Sequence, residues 1–137
     1  TFTNKKYVPV LCFESIYPLR MASQANQADL ILILSNEYWN KNLYGSDQYM
    51  YTHVGMAIQS RTPILRSCNS GVSVIIDKNG RVLSKKKGED IGMLRAEIAL
   101  KTEETVYEQL AGMFYGLGIL GYSGLLISGI VKGFFKK

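Results

Sequence analysis

The 137-residue sequence has few of the residues that stabilise disulfide-rich or metal-binding domains. Its two cysteines are too few for a disulfide scaffold, and a single histidine with two distant cysteines cannot supply the ligands of a zinc site. No metal or other cofactor is therefore predicted. Because the chain starts at Thr1 rather than Met, we expect a processed or partial sequence, and its first residues do not predict a signal peptide.

Charge is missing from one long stretch near the end of the sequence. From Leu110 to Val131 there are 22 consecutive uncharged residues, and a helix of that length, about 33 Å, spans the hydrocarbon core of a bilayer. Six glycines would make this segment a poor helix in water, whereas transmembrane helices tolerate glycine. The sequence therefore predicts one transmembrane helix at about 110–131, inside a segment 106–137 that also holds a linker and a basic tail. A buried helix of a soluble protein is the alternative.

The excess of positive charge lies beyond this apolar stretch. The formal net charge is +5, and Lys132, Lys136 and Lys137 follow the stretch, which leaves 13 basic and 11 acidic residues in 1–109. Lysines beyond a membrane span mark the cytoplasmic side, so residues 1–109 are expected on the outer side of the membrane. Without a basic stripe or an aromatic platform, no nucleic-acid partner is predicted.

The rest of the sequence alternates between patterns typical of strands and of helices. The predicted strands are Tyr7–Phe13, Leu30–Leu34, Ile64–Ser67, Val72–Ile76 and Arg81–Ser84, and the predicted helices run from Pro18 to Gln27 and from Asp47 to about Ser60. This order predicts an α/β fold, and Pro9 favours an edge position or a bulge in the first strand. The predicted loops are Ser35–Ser46 and Lys85–Lys87, whereas Ile91–Leu100 alternates apolar and polar residues.

The apolar run Leu30–Leu34 is typical of a strand that is buried on both faces. Such burial needs helices on both sides of the sheet, but only two helices are predicted before the apolar stretch. We therefore expect another chain, or a segment outside this sequence, to cover the remaining apolar surface.

Cys12 comes at the end of the first predicted strand, directly before a turn into a helix. A side chain there is presented at the carboxyl end of the strand, where N–H groups of the turn can stabilise an oxyanion. A cysteine thiolate is strongly nucleophilic and is favoured near helix N-termini. The pattern alone leaves a buried structural cysteine open. It also leaves Glu14 either orienting a substrate or partner group or pairing with a surface lysine.

Several motifs, taken in order, resemble the nitrilase superfamily and, within it, the apolipoprotein N-acyltransferase family of bacterial membrane enzymes. They are Leu11-Cys12-Phe13-Glu14, the segment 28–39 (Ala-Asp-Leu-Ile-Leu-Ile-Leu-Ser-Asn-Glu-Tyr-Trp), and Gln48, Ala57, Pro63, Arg66, Asn69, Gly71, Asp77 and Gly80. The resemblance implies the C-terminal half of a nitrilase-type α-β-β-α sandwich over residues 1–105, followed by the transmembrane helix. It implies that the missing N-terminal half of the same protein is the partner.

The resemblance also implies a chemistry and a location. Cys12 would attack an acyl ester of a phospholipid, hold the acyl group as a thioester and pass it to the N-terminal diacylglyceryl-cysteine of a lipoprotein. Phe13 would offer its backbone N–H to the oxyanion, and Glu14 would support the site. Trp39 would line an acyl path, with a core or loop-packing tryptophan as its alternative. The chain would lie in the bacterial inner membrane with residues 1–109 on the periplasmic side.

Parts of the family pattern are missing from this sequence. The family's Glu general base and its oxyanion-stabilising Lys lie upstream of the cysteine, where this chain has only eleven residues. The chain alone is therefore expected to be inactive. The family's Gln-His pair is Gln48-Tyr49 here. Its two helix arginines are Val54 and Met56, its helix Glu is Gln59, and the Phe after its Trp is Asn40.

These departures keep two alternative functions open. One is a fragment of a soluble nitrilase- or amidase-type carbon–nitrogen hydrolase, and the other is a non-catalytic, membrane-tethered pseudoenzyme. Among the remaining polar residues, Asn69 and Gly71 are expected to shape a turn beside the site. Cys68 is expected to be a packed residue, and His53 a helix-face residue without a catalytic role.

Overall fold

A single mixed sheet of five strands forms the centre of the chain. The computed structural model describes residues 4–39, 43–88 and 91–134. The strands, whose order in the sheet is their order in the chain, are β1 (Tyr7–Leu11), β2 (Leu30–Ser35), β3 (Ile64–Cys68), β4 (Val72–Ile76) and β5 (Val82–Lys87). β1, β2 and β3 are parallel, whereas β3, β4 and β5 pair antiparallel. The predicted α/β class is confirmed.

Two helices make the parallel connections of this sheet. Parallel strands need a crossover, and α1 (Pro18–Asn26) joins β1 to β2 while α2 (Leu43–Ser60) joins β2 to β3. Pro18 occupies the first turn of α1, where its fixed φ suits the helix and its missing N–H is not needed. Pro9 lies on β1, an edge strand of the sheet, as predicted.

The hydrophobic core lies between one face of the sheet and these two helices. On each strand alternate residues face the helices, because successive side chains point to opposite faces of a sheet. The buried cluster consists of Val10, Ile31, Ile33, Ile64, Val72, Val74 and Ile76 from the sheet, Met21 and Ala25 from α1, Met50, Met56 and Ala57 from α2, and Ala28.

The opposite face of the sheet carries apolar side chains that remain partly open to solvent. Leu34 is 52% exposed, although its neighbour Ile33 is fully buried. Gly92, Met93 and Leu94 line this face together with Leu32, Leu34 and Leu65 and cover it only in part. The prediction that β2 is buried on both faces is therefore wrong for the described residues, whereas the expected uncovered apolar surface is present.

Two element boundaries on either side of the predicted nucleophile differ from the sequence prediction. β1 ends at Leu11 rather than Phe13, because Cys12 has a φ of 45° and opens a 3₁₀ turn, Cys12–Ile16. α2 begins at Leu43 rather than Asp47. Residues 40–42 of the predicted loop lie outside the described residues.

A third difference from the sequence prediction concerns Lys85–Lys87, which form part of a strand instead of a loop. Lys85 and Lys87 belong to β5, where both pair with Asp47 of α2. This double pairing lowers the pKa of the Asp47 carboxyl. The alternation over Ile91–Leu100 does not produce a strand among residues 91–100, although Leu94, Ile98 and Leu100 are half-buried.

The third helix, α3 (Val106–Phe134), is joined to the sheet layer by a buried polar junction. Thr105 and Glu108 form a capping box: the Glu108 N–H donates to Thr105 Oγ1 at 3.3 Å, and the Thr105 N–H donates to the Glu108 carboxylate at 2.9 Å. The Lys101 ammonium pairs with Glu108 and donates to the Ala25 carbonyl, at the end of α1, at 2.9 Å. The linker part of segment 106–137 therefore contributes Glu108 to a buried ion pair.

Beyond this junction α3 carries its apolar side chains on the outside. By length and composition, Val106–Ile130 is the one helix among the described residues that is long and apolar enough to cross a membrane. All its residues from Gly112 to Ile130 are exposed. The predicted span 110–131 lies within α3, and residues 135–137 of the predicted basic tail lie outside the described residues.

The one-sided core predicts unequal effects at two neighbouring positions of β2. Ile33→Ala removes fully buried atoms and is expected to lower the free energy of unfolding by about 2–4 kcal/mol. Leu34→Ala, on the open face, is expected to lower it by about 1 kcal/mol or less. Urea unfolding of the chain in detergent micelles, followed by circular dichroism, measures both. Equal losses would contradict a sheet with one covered face.

Candidate active site

Cys12 lies where β1 ends and the chain turns sharply into the 3₁₀ segment. Its φ of 45° falls in the left-handed region, which costs a non-glycine residue about 1–2 kcal/mol. Such a turn presents a side chain beyond the end of its strand, as nucleophile turns do. Because β1 and β2 are parallel, their carboxyl ends meet at one edge. Ser35 and Asn36 at the end of β2 therefore lie beside Cys12.

The thiol of Cys12 has hydrogen-bonding partners where β2 ends. Ser35 Oγ lies 3.7 Å from Cys12 Sγ, and the thiol donates to the Asn36 carbonyl oxygen at 4.0 Å. Backbone hydrogen bonding at Asn36 is the main cause that lowers the pKa of the thiol, against the opposing effect of burial. The Ser35 hydroxyl, the Phe13 backbone N–H and the charge of Arg66 lower this pKa further.

The carbonyl group of Cys12 is held by side chains from two other elements. Ser15 of the 3₁₀ turn donates to this oxygen at 2.7 Å, and the Tyr49 hydroxyl of α2 donates to it at 2.5 Å. His53, one turn further along α2, places Nε2 2.9 Å from Ser15 Oγ. Ser15 and His53 are fully buried. Burial lowers the pKa of His53 to about 4, so its ring is neutral at physiological pH.

A buried ion pair between Arg66 and Glu37 lies beneath the nucleophile. Arg66 is on the core face of β3, and Glu37 follows β2. The Arg66 guanidinium also donates to the Val72 carbonyl at 2.8 Å and lies 4.7 Å from the Tyr49 ring centroid. Ser35 Oγ donates to Glu37 Oε1 at 3.4 Å, which links the pair to the residue beside the thiol.

The loop that carries Glu37 is held by the turn between β3 and β4. Asn69 Oδ1 accepts the Glu37 N–H at 3.3 Å. A Cβ atom on Gly71 would overlap the Glu37 carboxylate and would lie 2.9 Å from Cys68 Sγ, so only glycine leaves room for the carboxylate here. These contacts agree with the expectation that Asn69 and Gly71 shape a turn beside the site.

The structure places the other predicted site residues around Cys12 in different ways. Hydrogen bonding from the Phe13 backbone lowers the pKa of the thiol, while the Phe13 side chain is exposed. Glu14 accepts the Leu11 N–H at 3.1 Å and pairs with Arg20 at 2.9 Å, so its ionic partner is an arginine rather than the lysine considered from the sequence. Trp39 is 66% exposed, which disagrees with the loop-packing alternative.

The residues that sequence reasoning missed lie on α2. His53 lies on α2, as expected, and its whole side chain is buried against Ser15. One signal was available: Tyr49 stands where the family pattern has histidine, and His53 follows one helical turn later. Their rings are 4.9 Å apart. No group of three or more candidate metal ligands occurs among residues 4–39, 43–88 and 91–134.

Comparison with known proteins identifies the family of the chain. The sequence model of the carbon–nitrogen hydrolase family matches residues 3–108. The chain therefore belongs to the carbon–nitrogen hydrolase family. Within it, the chain is similar to proteins named apolipoprotein N-acyltransferase: it is 27% identical to that of Rhizobium rhizogenes over 96% of the chain and 30% identical to that of Rickettsia typhi over 76% of the chain. The predicted resemblance is confirmed.

These relatives are much longer than the chain. The match covers 25% of the Rhizobium rhizogenes protein and 21% of the Rickettsia typhi protein. For the apolipoprotein N-acyltransferase of Shewanella oneidensis, which is 30% identical over 77% of the chain, the match covers 20%. The chain thus spans a quarter or less of the relatives that it matches.

Two glycines test the packing around Glu37. Gly71→Ala is expected to displace the Glu37 carboxylate from Arg66 and to lower the free energy of unfolding by about 2 kcal/mol or more. Gly55→Ala is the matched control, because a Cβ at this position of α2 meets nothing within 4 Å. It is expected to be neutral or stabilising by up to about 1 kcal/mol. Thermal unfolding of both variants decides, and a neutral Gly71→Ala would contradict the close packing.

Burial of His53 predicts a pH dependence of stability. The unfolded chain binds a proton at His53 below about pH 6.5, whereas the folded chain does so only near pH 4. Stability is therefore complete above pH 6.5 and falls by about 1.4 kcal/mol per pH unit between those values. Urea unfolding at pH 4.5, 5.5 and 7 measures this slope. His53→Gln is expected to flatten it, and an unchanged slope in that variant would contradict a buried neutral His53.

Proposed function

We propose that this chain is the nucleophile-bearing, C-terminal portion of an apolipoprotein N-acyltransferase-type enzyme, in which Cys12 carries the acyl group as a thioester. One observation carries the proposal: Cys12 lies in a left-handed turn at the end of β1, with hydrogen-bond donors and the charge of Arg66 favouring its thiolate. The similarity to relatives with that name supports the choice of reaction.

The proposed reaction has two steps at Cys12. In the first, the Cys12 thiol gives its proton to the general base of the rest of the catalytic domain, the thiolate attacks the carbonyl carbon of a phospholipid ester, and a C–S bond forms. The C–O bond then breaks, and the leaving lysophospholipid alkoxide takes that proton from the base. In the second, the amine of a lipoprotein N-terminal diacylglyceryl-cysteine attacks the thioester. A C–N bond forms, the C–S bond breaks, the amine loses a proton and the thiolate is regenerated.

The neighbours of Cys12 have distinct roles in this proposal. The Phe13 N–H, whose hydrogen bonding lowers the pKa of the thiol, donates to the oxyanion of each tetrahedral intermediate. Glu14 supports the turn, because it holds the Leu11 N–H. Trp39, with the exposed side chains of Leu11 and Leu34, offers an apolar rim for the acyl chain.

The proposal places α3 across the bacterial inner membrane. Its exposed apolar side chains favour lipid over water as their surroundings, and their transfer to lipid stabilises the protein. The lysines that follow the apolar stretch favour a cytoplasmic C-terminus, so residues 1–105, the hydrolase-like part, face the periplasm. Segment 106–137 is the anchor.

The remainder of the catalytic domain is proposed as the partner of the open sheet face. An N-terminal half of the same protein would cover the exposed side of β2 around Leu34. It would also supply the Glu base and the Lys that the family resemblance implies. The chain alone is therefore proposed to be inactive, because none of the groups described around the thiol is a free base.

Substitution of Cys12 tests the proposed function. In the complete open reading frame that contains this chain, Cys12→Ser is expected to reduce N-acylation of a diacylglyceryl peptide at least about 1,000-fold, because serine lacks an accessible anion at neutral pH. Mass spectrometry of the peptide and of the acyl-enzyme measures both steps. Cys68→Ser is the control and is expected to keep near wild-type activity.

Three outcomes would contradict the proposal. Full activity of the Cys12→Ser protein would exclude the thioester. Hydrolysis of simple amides without acyl transfer would indicate the soluble hydrolase alternative. Absence of both activities, with Cys12 unreactive towards thiol probes, would indicate the pseudoenzyme.

A further inference from the structure

Three side chains surround the carbonyl oxygen of Cys12, and we call Ser15, Tyr49 and His53 the carbonyl clamp. Tyr49 and Ser15 donate to this one oxygen at 2.5 Å and 2.7 Å, and His53 lies behind Ser15 at 2.9 Å. The clamp lies outside the set of residues that the family resemblance assigns to the reaction. Fully buried polar side chains are normally placed for a reason, since an unpaired one costs about 1–3 kcal/mol.

Counting protons assigns a role to each member of the clamp. Ser15 and Tyr49 each have one hydroxyl proton, and their oxygens also lie 2.8 Å apart, so Tyr49 can donate to the Cys12 carbonyl or to Ser15 Oγ. When Ser15 donates to the Cys12 carbonyl, its Oγ accepts from His53 Nε2–H. His53 Nδ1 is then a bare acceptor, in agreement with its lack of a partner among the described residues. His53 thus holds Ser15 in the orientation that serves Cys12.

Fixing the carbonyl also fixes the N–H group of the same peptide. The Cys12–Phe13 peptide is trans, so its C=O and N–H point in opposite directions from a rigid plane. The clamp holds the carbonyl towards α2, so the Phe13 N–H points away from α2, and hydrogen bonding from the Phe13 backbone lowers the pKa of the Cys12 thiol. Two donors on the carbonyl also polarise the peptide and strengthen its N–H as a donor.

We propose that Ser15, Tyr49 and His53 are positioning residues that lock the strained Cys12–Phe13 peptide, so that the Phe13 N–H meets the oxyanion formed at the Cys12 thioester. The role in the oxyanion rests on the proposed acyl transfer, whereas the locking of the peptide does not. Arg66, whose guanidinium lies 4.7 Å from the centroid of the Tyr49 ring, keeps that ring in place.

Alkylation of Cys12 tests the lock without any acyl donor. In a Cys68→Ser background in detergent micelles, the rate of Cys12 alkylation by iodoacetamide is measured from pH 5 to 10. Tyr49→Phe removes one donor from the carbonyl and loosens the Phe13 N–H. It is expected to raise the thiol pKa and to slow alkylation at pH 7 about threefold or more. Tyr51→Phe, an exposed tyrosine on the same helix, is the matched control and should keep the wild-type profile.

Two substitutions of His53 separate the hydrogen bond from packing. His53→Gln keeps an N–H donor near the Nε2 position and is expected to retain the wild-type profile. His53→Leu fills the space without a donor and should behave like Tyr49→Phe. Thermal unfolding shows which variants are folded. If His53→Leu is not folded, comparison of Tyr49→Phe with Tyr51→Phe still shows whether the clamp sets the alkylation profile of Cys12. A folded Tyr49→Phe protein with the control profile would overturn the proposal.

Steady-state kinetics in the complete open reading frame test the oxyanion role separately. Tyr49→Phe is expected to lower kcat about tenfold and to leave KM for the phospholipid unchanged, because the Phe13 N–H acts in the transition state. A change in KM alone would overturn this role. If the frame transfers no acyl group in any variant, the proposed function fails, while the alkylation profiles still decide whether the clamp locks the peptide.

Discussion

The buried ion pair between Arg66 and Glu37 is the interaction on which the rest of the site depends. It joins the middle of β3 to the loop after β2, and that loop brings Asn36 to the thiol of Cys12. The same guanidinium supports the ring of Tyr49, which holds the Cys12 carbonyl. Removing one member of a buried pair leaves an uncompensated charge and costs about 3–5 kcal/mol. Both sides of the nucleophile therefore rely on one pair of charges.

The groups around Cys12 are suited to stabilising a thiolate rather than to removing its proton. The thiol contacts hydroxyl and backbone groups, and the Glu37 carboxylate is engaged by Arg66 and Ser35. Strain at Cys12 persists because hydrogen bonds from Ser15 and Tyr49 fix its carbonyl. This arrangement matches a division of labour in which one part of a catalytic domain carries the nucleophile and another carries the base.

Local patterns predicted most of the fold. Val72–Ile76 and the Asp77–Gly80 turn follow strand and turn chemistry closely, and Pro9 and Pro18 marked an edge strand and a helix start. The errors came from contacts distant in sequence. The sequence around the lysines of β5 is typical of a solvated loop. The pairing of Lys85 and Lys87 with Asp47 of α2 forms only in the folded chain.

The candidate site was predictable only in part. Cys12 was recognisable because it stands at a strand end within a known motif. The burial of His53 was not, because it depends on a hydroxyl 38 positions earlier in the chain. Composition and periodicity do not record such pairings, and only the folded chain brings the two together.

The junction at Lys101 and Glu108 has a mechanical consequence. The capping box with Thr105 stiffens the first turn of α3, and the lysine fastens that turn to the end of α1. A helix that is fixed at its first turn moves together with the element to which it is fixed. A tilt of the first turn of α3 therefore moves the end of α1 with it, because the Lys101 contacts join the two helices.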